Sequence, residues 1–372
     1  MPPLDPLPPL AVSFVEVLRL RMPLAVPLRS SRGETWERDV LLVHVVAMEA
    51  EGWAECPVEA APTYSGEFTD ATALVFRHHI PPLPLGDAVA LGQDLRQLRG
   101  HPMAAAALQL AVLDAQLQAA GRSLASWLGG TATAVAPGAA VSLHDEDAHL
   151  LTEADEALAA GAARLRVKIA PDRGARPLAK LRAHIGDDVP LQADANGSFS
   201  GDDPELREID ELGLVCLEQP LHPDDLLGSA RLAARMATPI CLDEPLTSLR
   251  AIETAIEVGA CDMVCLKPSR VGFIEARAVH DRCAELGVPV WVGGMLETGL
   301  GRAANLAVAS LPHFALPPDL DPRGRFAPDL CDPRLPVDGL VPVPTEPGIG
   351  AAPDPGIIEG AEQVAHWYHV EL

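Results

Sequence analysis

The first 120 residues carry two hydrophobic patterns, one typical of strands and the other of helices. Apolar runs rich in β-branched residues alternate with polar turns, which predicts an antiparallel meander. Helical patterns follow, and the last begins next to Pro102 and ends at Gly121, the usual places for these residues. The predicted strands are 12–20, 40–47 and 52–58, and the predicted helices are 68–79, 87–98 and 103–120. We therefore expect an α+β domain here.

From about residue 135 the pattern changes to short apolar strands alternating with amphipathic helices. Such alternation indicates parallel strands joined by helical crossovers, and seven repeats favour a closed (β/α) barrel of the TIM type, with an eighth element beyond Leu311. The predicted strands are 135–143, 164–169, 190–193, 214–217, 239–242, 263–266 and 288–292, and the predicted helices are 156–162, 177–184, 224–236, 249–258, 275–286 and 300–310. The segment after Leu316, rich in Pro, Asp and Gly, is expected to run back over the first domain.

Composition and charge narrow the class of protein. The chain has 372 residues, 48% hydrophobic and 22% charged, which is ordinary for a folded protein. Its net charge of −24 repels nucleic acid and anionic lipid, so neither is an expected partner. No run approaches the roughly 20 apolar residues of a membrane helix, and the N-terminus lacks the basic start of a signal peptide. Seven scattered cysteines suit a reducing compartment, and we expect a cytoplasmic enzyme acting on small molecules.

Charged residues follow five successive predicted barrel strands, each one βα unit after the last. They are Lys168, Asp194, Glu218, Asp243 and Lys267. In a parallel barrel these strand ends meet at one rim, where catalytic residues lie. A single such charge is more often a helix cap or a solvated side chain. Five at this spacing, three carboxylates between two lysines, favour a functional site.

The chemistry of this set follows from electrostatics. Three converging carboxylates repel one another unless a cation neutralises them, and hard oxygen donors select Mg²⁺ or Mn²⁺. A divalent ion can hold a substrate carboxylate and stabilise charge that grows on it, while the lysines approach from opposite sides. The set therefore predicts abstraction of the proton α to a carboxylate through an enediolate.

The same residues carry a resemblance to a known family. The chain resembles the enolase superfamily, and within it the o-succinylbenzoate synthase/N-succinylamino acid racemase group, over nearly its whole length. The matching barrel runs are Arg166-Val-Lys168, Asp194-Ala-Asn196, Cys216-Leu-Glu-Gln-Pro220, Pro239-Ile-Cys-Leu-Asp-Glu244, Lys267-Pro-Ser-Arg270 and Trp291-Val-Gly-Gly-Met-Leu-Glu-Thr-Gly-Leu-Gly-Arg302. Near the N-terminus the matching runs are Glu37-Arg-Asp-Val-Leu-Leu-Val43, Gly52-Trp-Ala-Glu-Cys56 and Ala61-Pro-Thr-Tyr64.

This resemblance implies a fold and a set of roles. It implies a modified (β/α)7β barrel at 134–320, capped by an α+β domain built from residues 1–133 and a returning C-terminal segment, 321–372. It implies that Asp194, Glu218 and Asp243 bind Mg²⁺ (or Mn²⁺), and that Lys168 and Lys267 are the acid/base pair, a mechanism described for this superfamily. Substrate-binding or supporting roles are implied for Arg166, Asn196, Glu244, Arg270, Gly293, Gly294 and Met295.

Three departures from the family pattern concern substrate contacts and the base. Arg166 stands where relatives have the first lysine of Lys-x-Lys; it keeps the charge that depresses the pKa of Lys168 but does not readily exchange a proton. Ala140 stands where relatives often have a serine facing the substrate. The run Val271-Gly272-Phe273 is one residue shorter than in relatives, which predicts a different substrate preference.

The resemblance leaves the activity open. Our first hypothesis is Mg²⁺-dependent syn-dehydration of 2-succinyl-6-hydroxy-2,4-cyclohexadiene-1-carboxylate to o-succinylbenzoate, in menaquinone biosynthesis, and the second is racemisation of N-succinylamino acids at the same site. Dipeptide epimerase and muconate cycloisomerase come third. A catalytically silent, carboxylate-binding barrel should have lost a lysine or a metal carboxylate, yet all five are present. A small carboxylate is the expected substrate, and a homo-oligomer the expected assembly.

Overall fold

The computed structural model of the chain describes residues 3–368, so residues 1–2 and 369–372 of the two predicted terminal segments lie outside the described residues. The strands are β1 (Val12–Ser30), β2 (Gly33–Ala47), β3 (Glu51–Cys56), β4 (Ala134–Val135), β5 (Gly138–Val141), β6 (Arg164–Lys168), β7 (Leu191–Asp194), β8 (Cys216–Glu218), β9 (Ile240–Leu242), β10 (Met263–Leu266), β11 (Val290–Val292), β12 (Val341–Pro342) and β13 (Glu362–Tyr368). The helices are α1 (Thr69–His78), α2 (Ala88–Leu95), α3 (Pro102–Ala119), α4 (Leu124–Leu128), α5 (Asp147–Ala159), α6 (Ala175–Ile185), α7 (Glu205–Asp210), α8 (Leu226–Ala233), α9 (Leu249–Glu257), α10 (Pro268–Val271), α11 (Phe273–Leu286), α12 (Gly299–Ala309) and α13 (Pro355–Ile358).

The N-terminal strands form an antiparallel sheet in the order β13-β1-β2-β3, against which α3 packs. Strand β13 pairs with β1, with Phe14 opposite Tyr368, so the C-terminal segment returns to this sheet. Strands β1 and β2 run ten and seven residues beyond the predicted ends, up to the turn between Ser30 and Gly33. The prediction stopped short because Pro23 and Pro27 weaken the strand pattern, and the register indeed shifts between Pro23 and Leu28.

The seven strands from β5 to β11 are all parallel and lie in sequence order. Backbone hydrogen bonds from Ala315 to Val290 and from Asp319 to Val292 attach the following segment to β11. The same segment bonds to Gly138 of β5 through Pro318 and Leu320. The sheet therefore closes through an eighth element with only an isolated bridge, and the predicted TIM-type barrel with an α+β capping domain is confirmed.

Local differences from the predicted elements have identifiable causes. The predicted strand 135–143 is two strands, β4 and β5, because Pro137 interrupts the ladder. The predicted helix 156–162 is α5, which begins nine residues earlier at a polar, exposed first turn and ends at Ala159. Helices α4, α7 and α10 are too short, at five, six and four residues, for a periodic pattern to reveal them.

Two further observations concern the cysteines and the helices. All seven cysteines are unpaired thiols, six of them buried. Along residues 3–368, no helix combines the length and apolar composition needed to cross a bilayer.

One buried carboxylate, Glu55 at the end of β3, ties the antiparallel sheet to the barrel. It accepts hydrogen bonds from the backbone N–H and the hydroxyl of Thr298 at 3.0 and 2.6 Å, and from the N–H of Gly301 at 3.1 Å. These donors belong to the N-terminal end of α12, whose unpaired N–H groups favour an anion. Burial, more than the neighbouring Glu297, nevertheless raises the pKa of Glu55 to about 7.

A pH-dependent contribution to stability follows. The folded chain holds the Glu55 proton more tightly than the unfolded chain, whose carboxyl titrates near 4.5. This contribution is therefore complete below about pH 4.5 and is lost as the pH rises through about 7. We expect the free energy of unfolding to fall over this range by up to about 3 kcal/mol from this group, and Glu55→Gln to remove that part of the fall.

Denaturant unfolding at about pH 5 and about pH 8 measures the effect. Glu51→Gln, a change to an exposed carboxylate on the same strand, is the control and should leave the pH dependence unchanged. An equal pH dependence in the wild type and in Glu55→Gln would contradict the assignment.

Candidate active site

The five charged residues at the strand ends are brought together at one rim of the barrel. In the strand register Lys168 lies beside Asp194, and Asp194 lies beside Glu218. Asp243 directly follows β9, and Lys267 directly follows β10. All five side chains are buried, with exposed fractions of 0 to 6%. Charged groups are rarely buried this deeply unless they are paired or bind a ligand.

The two lysines are held by different carboxylates. The Nζ of Lys168 donates to Oδ2 of Asp194 at 2.6 Å and to Oδ1 of Asn196 at 3.0 Å. The Nζ of Lys267 donates to Oδ2 of Asp243 at 2.7 Å. Three strands, β7 to β9, separate β6 from β10 in the sheet. The lysines therefore reach the centre of the barrel mouth from different sides.

The surroundings of the two lysines shift their pKa values in opposite directions. Burial, followed by the adjacent Arg166 guanidinium, lowers the pKa of Lys168 below its ordinary value. Burial also acts to lower the pKa of Lys267, but the Asp243 carboxylate and the Tyr64 hydroxyl outweigh it, and this pKa lies well above its ordinary value. In this arrangement Lys168 gives up its proton more readily than Lys267.

Arg166 lies at the centre of the carboxylates. Its Nε and Nη2 donate to the two oxygens of Glu218, both at 2.6 Å, and Nη2 also lies 2.6 Å from Oδ2 of Asp194. Burial alone would raise the pKa of Asp194, but Arg166 and Lys168 hold it below its ordinary value. Burial raises the pKa of Glu218; Arg166 opposes this rise but does not cancel it, and Asp194 adds to it.

The carboxylates fit a divalent metal ion. Donor atoms of Glu218, Asp243 and Cys265, all buried, lie within 4.8 Å of one another. Asp194 does not belong to this group; it lies beside Glu218, and the same guanidinium nitrogen contacts both. Oxygen donors in this number suit Mg²⁺ or Mn²⁺, and the thiol of Cys265 adds one soft donor.

Glu244, directly after Asp243, supports the site from the side. Its Oε1 accepts from Arg32 at 2.9 Å and from Asn196 at 3.3 Å. Its Oε2 is buried and has no hydrogen-bond partner among residues 3–368. Burial first, and then the nearby Asp243 and Asp194 carboxylates, raise the pKa of Glu244 to about 7. A cation at the carboxylates would oppose the effect that Asp243 and Asp194 have on the pKa of Glu244.

A cavity of about 550 Å³ opens above these groups, between the barrel mouth and the capping domain. It is lined by barrel residues, Lys168, Lys267 and Asn196 among them, and by cap residues such as Arg32 and Tyr64. Its volume suits a small organic molecule. Both lysines therefore face the space where a substrate can bind.

Some of the residues predicted to contact substrate line this cavity, and others lie deeper in the barrel. Gly294 and Met295 line the cavity, and their N–H groups donate to Asp319 at 3.4 Å and to Glu297 at 2.8 Å. Gly293 lies deeper, where a Cβ atom would stand 2.4 Å from the sulfur of Cys265, so only glycine fits. Ala140 also lines the cavity, as the family resemblance implies.

The segment that follows Lys267 contacts the site through Arg270. Arg270 donates to the Tyr64 hydroxyl at 2.6 Å and to the backbone carbonyl of Glu244 at 2.7 Å. Val271 and Gly272 line a different cavity, of about 930 Å³, between the capping domain and the outside of the barrel. Val271 and Gly272 therefore line this second cavity and not the one that Lys168 and Lys267 line.

Sequence reasoning missed several residues of the site, Tyr64 and Asp319 among them. Tyr64, from the capping domain, donates to Oδ1 of Asp243 at 2.9 Å and accepts from Lys267 at 3.0 Å. Asp319 accepts from Arg164 at 2.7 Å and lies 3.3 Å from Nη1 of Arg166. Tyr64 ends a run that matches the family. Asp319 ends the eighth barrel element, so the rule that selected the other five strand ends applies to it too.

The chain is similar to known proteins along most of its length. The family model described as Enolase C-terminal domain-like matches residues 149–357. An N-succinylamino acid racemase from Amycolatopsis sp is 44% identical over 363 residues, covering 96% of this chain and 99% of the relative. An o-succinylbenzoate synthase from Geobacillus stearothermophilus is 36% identical over 367 residues, covering 96% and 98%.

A solved structure gives the same result for the fold. An enolase superfamily member from Listeria innocua has a TM-score of 0.90 and 29% sequence identity, covering 97% of this chain and 99% of that chain. The match spans both the capping domain and the barrel. Together with the family model and the sequence relatives, it shows that this chain belongs to the enolase superfamily and is an enzyme.

Proposed function

We propose that the chain is a Mg²⁺-dependent o-succinylbenzoate synthase, which dehydrates 2-succinyl-6-hydroxy-2,4-cyclohexadiene-1-carboxylate. The observation that carries the proposal is the pair of buried lysines that face one cavity, each hydrogen-bonded to a different carboxylate. Such a pair can serve both sides of a substrate bound between them. Relatives named o-succinylbenzoate synthase, 36% identical to this chain, support the same activity.

In this proposal Asp194, Glu218 and Asp243 hold the ion. Mg²⁺, when bound there, supplies positive charge for the substrate carboxylate as the α-carbon loses its proton. Lys168, the neutral base, takes that proton onto Nζ and then gives it to the departing hydroxide, so that water and o-succinylbenzoate are the products. Lys267 stays protonated and stabilises the negative charge that develops on the substrate.

N-succinylamino acid racemase is the second candidate. It is favoured by the placement of the lysines on different sides of the barrel mouth, because racemisation needs one base on each face of the α-carbon. The Amycolatopsis relative, 44% identical, bears this name. Lys267 would then have to give up its proton, which its bonds to Asp243 and Tyr64 oppose.

The experiment that separates the candidates is a steady-state comparison of both substrates with one Mg²⁺-loaded preparation. We expect the kcat/KM for the cyclohexadiene carboxylate to exceed that for either enantiomer of an N-succinylamino acid. The reverse order would make racemisation the main activity and dehydration a secondary one. Activity on neither, with turnover of a dipeptide or a muconate, would instead support one of the remaining alternatives. Turnover of none of the four would support a silent barrel.

Location and assembly belong to the same proposal. The seven unpaired thiols suit the reducing cytoplasm, where we place the reaction. That the chain forms a homo-oligomer remains a prediction, and a sedimentation measurement of the molecular mass in solution tests it.

A further inference from the structure

Arg166 contacts two of the three carboxylates that are proposed to bind the metal ion. Its guanidinium forms two parallel hydrogen bonds with both oxygens of Glu218 and also touches Asp194. Paired bonds between a guanidinium and a carboxylate are the strong class of charge-assisted hydrogen bond. An ion that binds Glu218 through either oxygen must weaken this pair.

A second anion is within reach of the same guanidinium. Oδ2 of Asp319, at the end of the eighth barrel element, lies 3.3 Å from Nη1 of Arg166, on the nitrogen that does not bond to Glu218. Asp319 is itself fixed, because its Oδ1 accepts from Arg164 at 2.7 Å. The face of Trp291 lies beneath both guanidinium groups, with centres 4.3 Å from Arg164 and 5.7 Å from Arg166. The guanidinium thus has two partners among the metal carboxylates, Glu218 and Asp194, and one partner outside them, Asp319.

We propose that Arg166 competes with the divalent ion for Glu218, and that Asp319 positions the guanidinium away from Glu218 when the ion binds. The inference rests on the metal site of the proposed function. It assigns Arg166 a role that a lysine cannot fill, because an ammonium is a single point charge and does not bridge both oxygens of a carboxylate as a planar guanidinium does. Asp319 is a positioning residue, since it acts through Arg166.

The test measures ion affinity without substrate, using Mn²⁺ alone and counting the unbound ion by electron paramagnetic resonance. Arg166→Lys keeps the charge but removes the paired bonds, so we expect Mn²⁺ to bind about tenfold more tightly. Arg302→Lys is the matched control: Arg302 is buried and lines the same cavity, but it donates to the backbone carbonyls of Leu320 and Asp321. Its Kd for Mn²⁺ should equal that of the wild type.

Asp319→Asn tests the second half of the proposal. Removing the outside partner leaves Arg166 on Glu218, so we expect Mn²⁺ to bind several-fold more weakly. In the Arg166→Lys background the same change should have a clearly smaller effect, because the two residues act through one contact. An equal effect in both backgrounds would show that Asp319 acts through charge alone and would overturn its positioning role.

The outcomes also separate this inference from the proposed function. Unchanged or weaker Mn²⁺ binding in folded Arg166→Lys overturns the competition while leaving the metal site intact. A wild-type enzyme that binds no divalent ion overturns the metal site and this inference together. If Arg166→Lys does not fold, as judged by thermal unfolding, Arg166→Gln replaces it and should also tighten binding.

Discussion

Lys168→Ala and Lys267→Ala are each expected to reduce dehydration by about a thousandfold or more, for different reasons. Lys168→Ala removes the proposed base, whereas Lys267→Ala removes the cation that is proposed to stabilise charge on the substrate. Both side chains are buried and paired, so loss of either also leaves a carboxylate, Asp194 or Asp243, without one partner. Rates of o-succinylbenzoate formation with saturating Mg²⁺ measure the effect.

Proton exchange distinguishes the two lysines. If the chain also racemises N-succinylamino acids, Lys168→Ala in D₂O should abolish α-proton exchange from one enantiomer and spare the other, and Lys267→Ala should do the reverse. The chain offers a matched control, because it contains only three lysines. The third, Lys180, is on α6 and pairs with Asp147 outside the site, so Lys180→Ala should keep full activity. Near-wild-type dehydration in either active-site variant would refute the role assigned to that lysine.

The fold was predictable because its signals are local. Each barrel strand is a short apolar run, since both faces of a parallel sheet are covered, and most predicted strands match to within two residues. Strands that do not match have other local causes; β1, for example, contains Pro23 and Pro27, which weaken its strand pattern. The closing segment at 315–320 could not be predicted as a strand, because it is joined to β5 and to β11 by two backbone hydrogen bonds each and not by a regular ladder.

The candidate site was predictable as a set of strand ends but not as a network of contacts. Topology alone brings consecutive strand ends to one rim, so Lys168 and Asp194 are neighbours by register. The hydrogen-bond partner of each charged side chain depends on where the side chains from other strands lie across the barrel. Arg166 reaches Glu218, 52 residues later, and Tyr64 reaches Asp243, 179 residues later. No local pattern encodes contacts of such separation.

Metal binding gives the second large expected effect. Glu218→Gln removes an anionic ligand from the proposed ion site and replaces one oxygen by an amide group. It also removes the partner that Arg166 holds by two bonds and the acceptor of Gln192, so the guanidinium is left beside Asp194 and Asp319. The site loses one negative charge and keeps a positive one. Both changes disfavour a divalent cation.

We therefore expect the affinity of Glu218→Gln for Mn²⁺ to fall by about a hundredfold or more, with a parallel loss of activity at limiting Mg²⁺. Direct titration with Mn²⁺ measures the affinity, and excess EDTA should abolish activity in the wild type. Glu208→Gln, on the exposed side of α7, is the charge-matched control and should bind Mn²⁺ as the wild type does. Unchanged Mn²⁺ affinity in Glu218→Gln would exclude Glu218 as a ligand, and full activity in EDTA would exclude the metal from the reaction. In the first case the Arg166–Glu218 pair would be a structural ion pair, and the carboxylates left to hold an ion would be Asp194 and Asp243.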